Sequence, residues 1–303
     1  MRLGYPCLNR TLEADRPNRG TTVKHVKTLT DAERREKLDR LLINNLENNL
    51  EILKFNVKND IEFYRFCSDI VPLATHPVTE DWDYLQVGTE LLEKIGDYIK
   101  QHDLRITMHP EHFTVLNSTK SEVVEKAIED LKYHSRLYRA MGLDTRHKIV
   151  LHLGGVYGDK EKSKRRFIEH FRQLEDEDIK ERLIVENDDD SYRATEVLEV
   201  ARELEIPMVM DVHHFNCNHT SGESLAELLP LCFATWKEER PIVHFSSPGD
   251  EDNPSLHAAD IDADDFREFM TLAGEATGLD FDVMLECKNK ELALFKLRRQ
   301  LGS

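Results

Sequence analysis

Several absences narrow the field. No apolar run approaches the ~18 residues of a membrane span, and the opening MRLGYPCLNR carries no apolar signal segment, so a cytoplasmic protein without a membrane partner is expected. Cysteines are few and badly placed for bridging. Cys7, Cys67, Cys217, Cys232 and Cys287 are odd in number and contain no CxxC pair, which argues against a disulfide framework or a zinc ribbon and fits a reducing compartment. No Pro/Gly/Ser-rich linker and no short repeat divides the 303 residues, so one domain over 1–303 is expected. Positive charge is also in deficit. With 41 Lys+Arg against 58 Asp+Glu the formal net charge is −17. The chain as a whole does not attract DNA or anionic lipid, and a nucleic-acid role would need local basic patches and metal ions. No zipper or interface stripe is visible, which makes a monomer the expectation.

What is present is an alternation. Short β-type runs occur at Arg2–Tyr5, Phe63–Phe66, Arg105–His109, Lys148–His152, Leu183–Glu186, Met208–Asp211, Ile242–Phe245 and Asp282–Glu286. Most are apolar or β-branched, as strands buried on both faces should be. Between them lie stretches of helical periodicity: Asp31–Phe55, Gln86–Gln101, Ser121–Met141, Lys164–Leu174, Tyr192–Leu204, Glu223–Trp236, Asp262–Ala276 and Glu291–Arg299. Thr30-Asp31 with Glu33, Ser121 and Ser191 supply start signals. Eight strands alternating with eight helices predict an α/β fold, a (β/α)8 TIM barrel. A doubly wound sheet is the alternative, weakened by the lack of a Gly-rich loop after the first strand. The long segment Asn9–Thr28 before the first helix is a candidate functional loop.

The strand ends carry the chemistry. His76 lies in the loop after the second run, His109, His152, Glu186, Asp211 and Glu286 end later runs, His214 follows Asp211, and His244 and His257 belong to the seventh run and its loop. In a barrel these ends converge on one mouth. A lone strand-end histidine is more often a hydrogen-bonded core residue than a ligand, but nine metal-ligand side chains at nearly every such position are harder to explain that way. Burying three carboxylates beside several imidazoles is costly without a compensating cation. Divalent metals bind both ligand types, and nine ligands suit two or three ions, with Zn²⁺ and Mn²⁺ both compatible. Adjacent ions can clamp a phosphate and activate water, which suits phosphodiester hydrolysis. His213 is expected to turn away from the mouth if the strand continues through it.

GYPCLN at the start, HP-x-x-F after the third run, LHLGG, VENDD, DVHH, VHFSSP, HAAD and LECKNKE occur in this order along nearly the whole chain. In this the sequence resembles the UV damage endonucleases and, more distantly, the endonuclease IV class. The resemblance implies a (β/α)8 barrel with a multinuclear Mn²⁺ site that nicks damaged double-stranded DNA 5′ to cyclobutane dimers and 6-4 photoproducts and, in some members, abasic sites. It assigns the nine residues above as metal ligands, Glu186 and Glu286 among them as catalytic ligands. Lys288 becomes a candidate for neutralising developing charge, and Tyr5, Asn9, His112 and Phe113 become candidates for lesion contact. Two positions depart from the family pattern. Ile242 stands where a modified lysine is usual, and His112-Phe113 replaces the usual Gln-Tyr probe.

Basic residues cluster at Arg10, Arg16, Arg19, Lys24 and Lys27, at Lys160, Lys162, Lys164, Arg165 and Arg166, and at Lys288 and Lys290. On a barrel all three groups would face the mouth and could contact phosphates, although each alone is equally a solvated helix start or loop. A two-metal sugar isomerase and a non-catalytic DNA-damage-binding barrel are the other readings of the same residues.

Overall fold

The structure is a computed structural model describing residues 1–12, 17–250 and 252–302. Eight parallel strands close into a barrel: β1 (Leu3–Pro6), β2 (Phe63–Phe66), β3 (Arg105–Met108), β4 (Lys148–His152), β5 (Leu183–Glu186), β6 (Met208–Asp211), β7 (Ile242–Phe245) and, after an antiparallel hairpin of β8 (Pro248–Asp250) and β9 (Asn253–His257), β10 (Asp282–Leu285). β1 pairs with both β2 and β10. That closure rules out the doubly wound alternative. Five strands lie where the sequence places them; the first shifts by one residue and two end one residue earlier than expected.

The helices follow their local chemistry. Thr30 caps the long helix Asp31–Lys58 with a reciprocal capping box to Glu33. The other two start signals need correction: Lys120, not Ser121, is the cap of Ser121–Ala140, and Arg193, not Ser191, caps Ala194–Leu204. Several short elements have no counterpart in the periodicity: the helices Val23–Val26, Glu177–Arg182 and Val212–Cys217, the 3₁₀ turn Pro77–Thr79, and the hairpin. Each is too brief to accumulate a helical or strand repeat.

Strand alternation sorts the barrel interior into layers. At the N-terminal end, Arg105, Lys148 and Asp282 are buried. Above them Phe63, Val150, Ile184, Val209, Ile242 and Met284, joined by Trp236, form one apolar cluster. Two residues further along the same strands come Arg65, His152, Glu186, Asp211, His244 and Glu286, the last just beyond β10. Register aligns His152 with Glu186 and Asp211 with His244. The apolar layer seals the ligand layer from below.

The segment after β1 is held by asparagines on the long helix. Asn45 accepts from Arg19 N at 2.7 Å, Asn48 donates to Pro17 O at 2.9 Å, and Asn49 donates to Asn18 Oδ1 at 2.7 Å. Arg16 lies outside the described residues.

Candidate metal centre and nucleic-acid interface

Glu186 is the hub of the mouth. Its Oε2 lies 3.0 Å from His109 Nε2 and 3.6 Å from His152 Nε2; its Oε1 lies 2.5 Å from His244 Nδ1 and 3.9 Å from His214 Nδ1. Two groups of ligand atoms result, each within 4.8 Å: His109, His152 and Glu186, and Glu186, Asp211, His244 and Glu286. Six of the nine expected ligands are in these groups. His214 lies 3.7 Å from Asp211 Oδ2, and His257 Nε2 3.9 Å from Glu286 Oε2, so both stand at the edge.

His76 does not join them. Its Nδ1 accepts from Val78 N at 3.0 Å and caps the 3₁₀ turn Pro77–Thr79. The condition set for His213 is not met: β6 ends at Asp211, and in the helical turn that follows His213 Nε2 donates to Ser255 O at 3.0 Å, with its ring 5.2 Å from that of His257.

Fixed partners aim the imidazoles. A carbonyl can only accept, so His109 Nδ1 donates to Pro110 O at 3.1 Å, leaving Nε2 toward Glu186. His214 Nδ1 likewise donates to Asn187 O at 2.9 Å. Asn187 in turn ties β5 to β6, donating to Asp211 O and accepting from Asp211 N, both at 2.9 Å. Gly154 in LHLGG has φ +93°, and a Cβ there would lie 2.6 Å from Asn117 Oδ1, so the loop that β4 feeds requires glycine.

The electrostatics are those of a site short of cations. Burial raises Asp211 to about 7, with Glu186 and Glu286 adding to the rise. Burial works against a charged His214, yet Asp211 and Glu186 raise it to about 9. Burial lowers His152 to about 4, which keeps its imidazole neutral. For Glu286 burial is outweighed by Arg65 and His244, which hold the carboxyl far below its usual range. Among buried polar atoms of the described residues, His152 Nδ1 and Asp211 Oδ2 have no hydrogen-bond partner, while Glu286 Oε1 is met by Arg65 Nη2 at 2.6 Å. Neutral imidazoles, carboxylates and unpartnered buried donor atoms facing one another fit divalent cations.

A cavity of about 460 Å³ opens over the centre, lined among others by Arg65, His109, His112, His152, Asp188, His214, His257 and Glu286. His112 and Thr114 line it, and Phe113 between them in sequence is 70% exposed. Tyr5 and Asn9 are both fully buried. Tyr5 OH donates to Asn56 Oδ1 at 2.6 Å and accepts from Asn9 Nδ2 at 2.8 Å, and Asn9 Oδ1 accepts from Thr11 N and Leu12 N. They brace the first loop from beneath and present no surface to a lesion, which corrects that expectation. Lys288 is exposed and, among the described residues, its ammonium makes no ion pair with the cluster.

The basic group after β4 is also corrected. Lys160 pairs with Glu196 at 3.0 Å, Lys162 with Asp159 at 3.0 Å, and buried Lys164 with Glu199 at 2.6 Å; Arg166 donates to Asn117 O at 2.8 Å. Lys160 and Lys164 thus tie Lys160–Arg172 to Ala194–Leu204, while Lys162 pairs at the start of its own helix and Arg165 is exposed. Arg65, Cys7 and Asp188 are among the cavity residues that escaped the sequence argument. Arg65 was findable, because the middle of FYRF puts it on the inward face two residues after Phe63. Cys7 and Asp188 carried no periodic signal.

The sequence profile of the family described as UV-endonuclease UvdE matches residues 1–303. A UV DNA damage endonuclease of Bacillus cereus (strain G9842) is 40% identical over 305 residues, covering 100% of this chain and 95% of that protein. The crystal structure of SacUVDE superposes with a TM-score of 0.88 at 35% identity, covering 100% of this chain and 98% of the other. Endonuclease IV from Thermus thermophilus, at 14% identity and a TM-score of 0.58 over 100% and 99% of the two chains, shares the fold. With a profile match from end to end and a relative of this identity over its full length, the chain belongs to the UV-endonuclease UvdE family, a family of endonucleases.

Proposed function

We propose that this chain incises double-stranded DNA on the 5′ side of UV photoproducts, cyclobutane dimers and 6-4 photoproducts, and also at abasic sites, acting as a monomer in the cytoplasm with Mn²⁺ bound at the mouth. The observation that carries the reading is Glu186, one carboxylate shared by two ligand groups at the floor of an open cavity. His109, His152 and Glu186 would hold one ion, and Glu186, Asp211, His244 and Glu286 another. His214 and His257 stand close enough to complete either or to support a third. Nitrogen and oxygen donors without thiolate suit Mn²⁺, with Zn²⁺ the alternative. Bound there, such ions supply Lewis acidity toward a phosphodiester and an acidic water at neutral pH.

The chain's own residues do the rest. Asn187 and Pro110 O fix the ligand orientations, and the apolar layer of Phe63, Val150, Ile184, Val209, Ile242 and Met284 excludes water from below. Ile242 cannot ionise, so the centre works without a lysine-derived ligand at that position. Phe113 supplies a stacking surface for an unstacked base step, and His112 can hydrogen-bond an orphaned base. An exposed aromatic at the rim favours a macromolecular substrate over an enclosed sugar, which sets the isomerase reading aside.

The test is a duplex with one defined cyclobutane dimer, labelled at the 5′ end of the damaged strand. With Mn²⁺ the protein should release a single product ending just before the lesion, and none with EDTA or undamaged duplex. Absence of a lesion-dependent nick with Mn²⁺ or Zn²⁺ would overturn the reading.

A further inference from the structure

The floor of the mouth already holds a cation of the chain's own. Arg65 rises from β2 and is 6% exposed. Its Nη2 lies 2.6 Å from Glu286 Oε1 and 2.8 Å from His244 Nε2. Burial opposes its charge, but Glu286 and Glu186 hold the guanidinium protonated. Its Nε is buried without a partner. The arginine enters only one of the two ligand groups. Glu286 and His244 belong to the second group; among the described residues no Lys or Arg pairs with His109 or His152 of the first.

Resting on the metal-dependent reading above, we infer that Arg65 is a positioning residue that makes the two ion positions unequal: the first group binds its divalent ion tightly, while the guanidinium competes for Glu286 and His244 and keeps the second ion weakly held and exchangeable. Glu186, Asp211 and Glu286 would repel one another in a metal-free centre, and Arg65 supplies a positive charge where that repulsion is greatest. An ion entering the second group meets this like charge in a medium of low dielectric and must share or displace its contact with Glu286 Oε1. An arginine cannot relieve the conflict by losing its proton. Nor can it swing out to solvent, because it starts from the interior of a buried strand. With both ions in place beside Arg65 the positive charge would exceed that of the three carboxylates, and a DNA phosphate arriving over the cavity would offset the excess. Second-ion binding and DNA binding therefore favour each other, by the same factor in both directions.

Mn²⁺ titration of the EDTA-stripped protein by calorimetry, without DNA, tests this apart from nuclease activity. The wild type should show a tight and a weak class of site, the weak class tightening when a lesion-containing duplex is added in EDTA-free buffer with Ca²⁺-free salts. Arg65→Met and Arg65→Gln should each tighten the weak class by about tenfold or more and leave the tight class unmoved. Arg65→Lys, which keeps the charge, should leave it weak. Equal affinities in the wild type, or neutral variants whose weak class is unchanged or weaker, would overturn the inference while the metal-dependent reading stands. Failure to bind Mn²⁺ or Zn²⁺ at all would remove both. Should one neutral variant fail to fold, the other and the wild-type curve still decide.

Discussion

The two ends of this barrel both bury charge, and they dispose of it differently. At the N-terminal end Arg105 Nη1 meets Asp282 Oδ2 at 2.9 Å while its Nη2 donates to Arg240 O at 2.7 Å. Lys148 meets Glu239 at 2.7 Å and donates to Glu181 O at 3.1 Å. At the C-terminal mouth three carboxylates gather around one guanidinium that among them contacts only Glu286, and donor atoms of His152 and Asp211 are left without hydrogen bonds among the described residues. Two strands supply both sets from inward positions, β4 with Lys148 and His152 and β10 with Asp282 and, just beyond it, Glu286. What separates a structural ion pair from a functional centre is whether each charge finds its counter-charge inside the protein.

The largest effects would break that comparison if it is mistaken. Glu186→Gln removes the one carboxylate common to both ligand groups. Single-turnover incision in Mn²⁺ should fall by about a thousandfold or more, since several kcal/mol of charge stabilisation go with it. Circular dichroism should show an unchanged fold. Asp282→Asn at the other end should do the converse. It strands Arg105 in the barrel without a counter-charge, and such losses cost about 3–5 kcal/mol. Urea denaturation should register that cost, while the incision rate per folded molecule stays at the wild-type value. A variant Asp282→Asn that keeps its stability but loses activity would dissolve the distinction.

A third experiment sharpens the structural end. His147 is buried beneath the barrel, accepts from Ile106 N at 3.2 Å through Nδ1, and is lowered to about 4 by burial. The unfolded chain takes up this proton near the ordinary histidine pKa of ~6.5. The unfolded state therefore binds more protons between the two values, and stability falls as the pH drops from ~6.5 toward 4. His147 accounts for up to about 3 kcal/mol of that loss. His147→Asn, which keeps an acceptor for Ile106 but cannot titrate, should flatten the stability curve over this window relative to wild type. An identical slope in both proteins would mean that His147 is not held neutral.

The barrel was largely legible in the sequence because its strands are buried on both faces and its long helices carry several turns of apolar repeat. Lys148–His152 and Met208–Asp211 fall where expected. The convergence of histidines and carboxylates at the mouth was legible because strand ends hold so few positions that a run of these residues there cannot pass as ordinary surface. What stayed hidden depends on tertiary neighbours. His76 looks like a ligand in LATHP, yet it is in neither ligand group among the described residues and its Nδ1 accepts from the amide of Val78. Tyr5 and Asn9 look like mouth residues, but the asparagine-rich face of the long helix draws them inward. Lys160 and Lys164 after β4 look free, but Glu196 and Glu199 on the helix Ala194–Leu204 claim them. Arg65 sits in a short aromatic strand, and only its inward register gives it a role.

The smallest expected effect concerns the rim, where exposure rather than burial is the unusual feature. Phe113 is 70% exposed although the chain around it is fixed: Thr114 N donates to Glu111 O at 2.9 Å, and Thr114 Oγ1 to Asp130 Oδ2 at 2.6 Å. A stapled loop holding an uncovered phenyl ring beside the cavity is built to meet something flat and apolar. Stacking on an unstacked base is worth about 1–3 kcal/mol, so Phe113→Ala should weaken binding to a lesion-containing duplex by roughly 5- to 150-fold. Binding to undamaged duplex and the thermal unfolding midpoint should not move, because the ring contributes little to either the folded core or the phosphate contacts. Phe113→Trp should retain discrimination. Fluorescence anisotropy with matched damaged and undamaged duplexes separates the outcomes. Equal weakening on both would make Phe113 a general DNA contact, and the lesion would then have to be sensed elsewhere in the cavity.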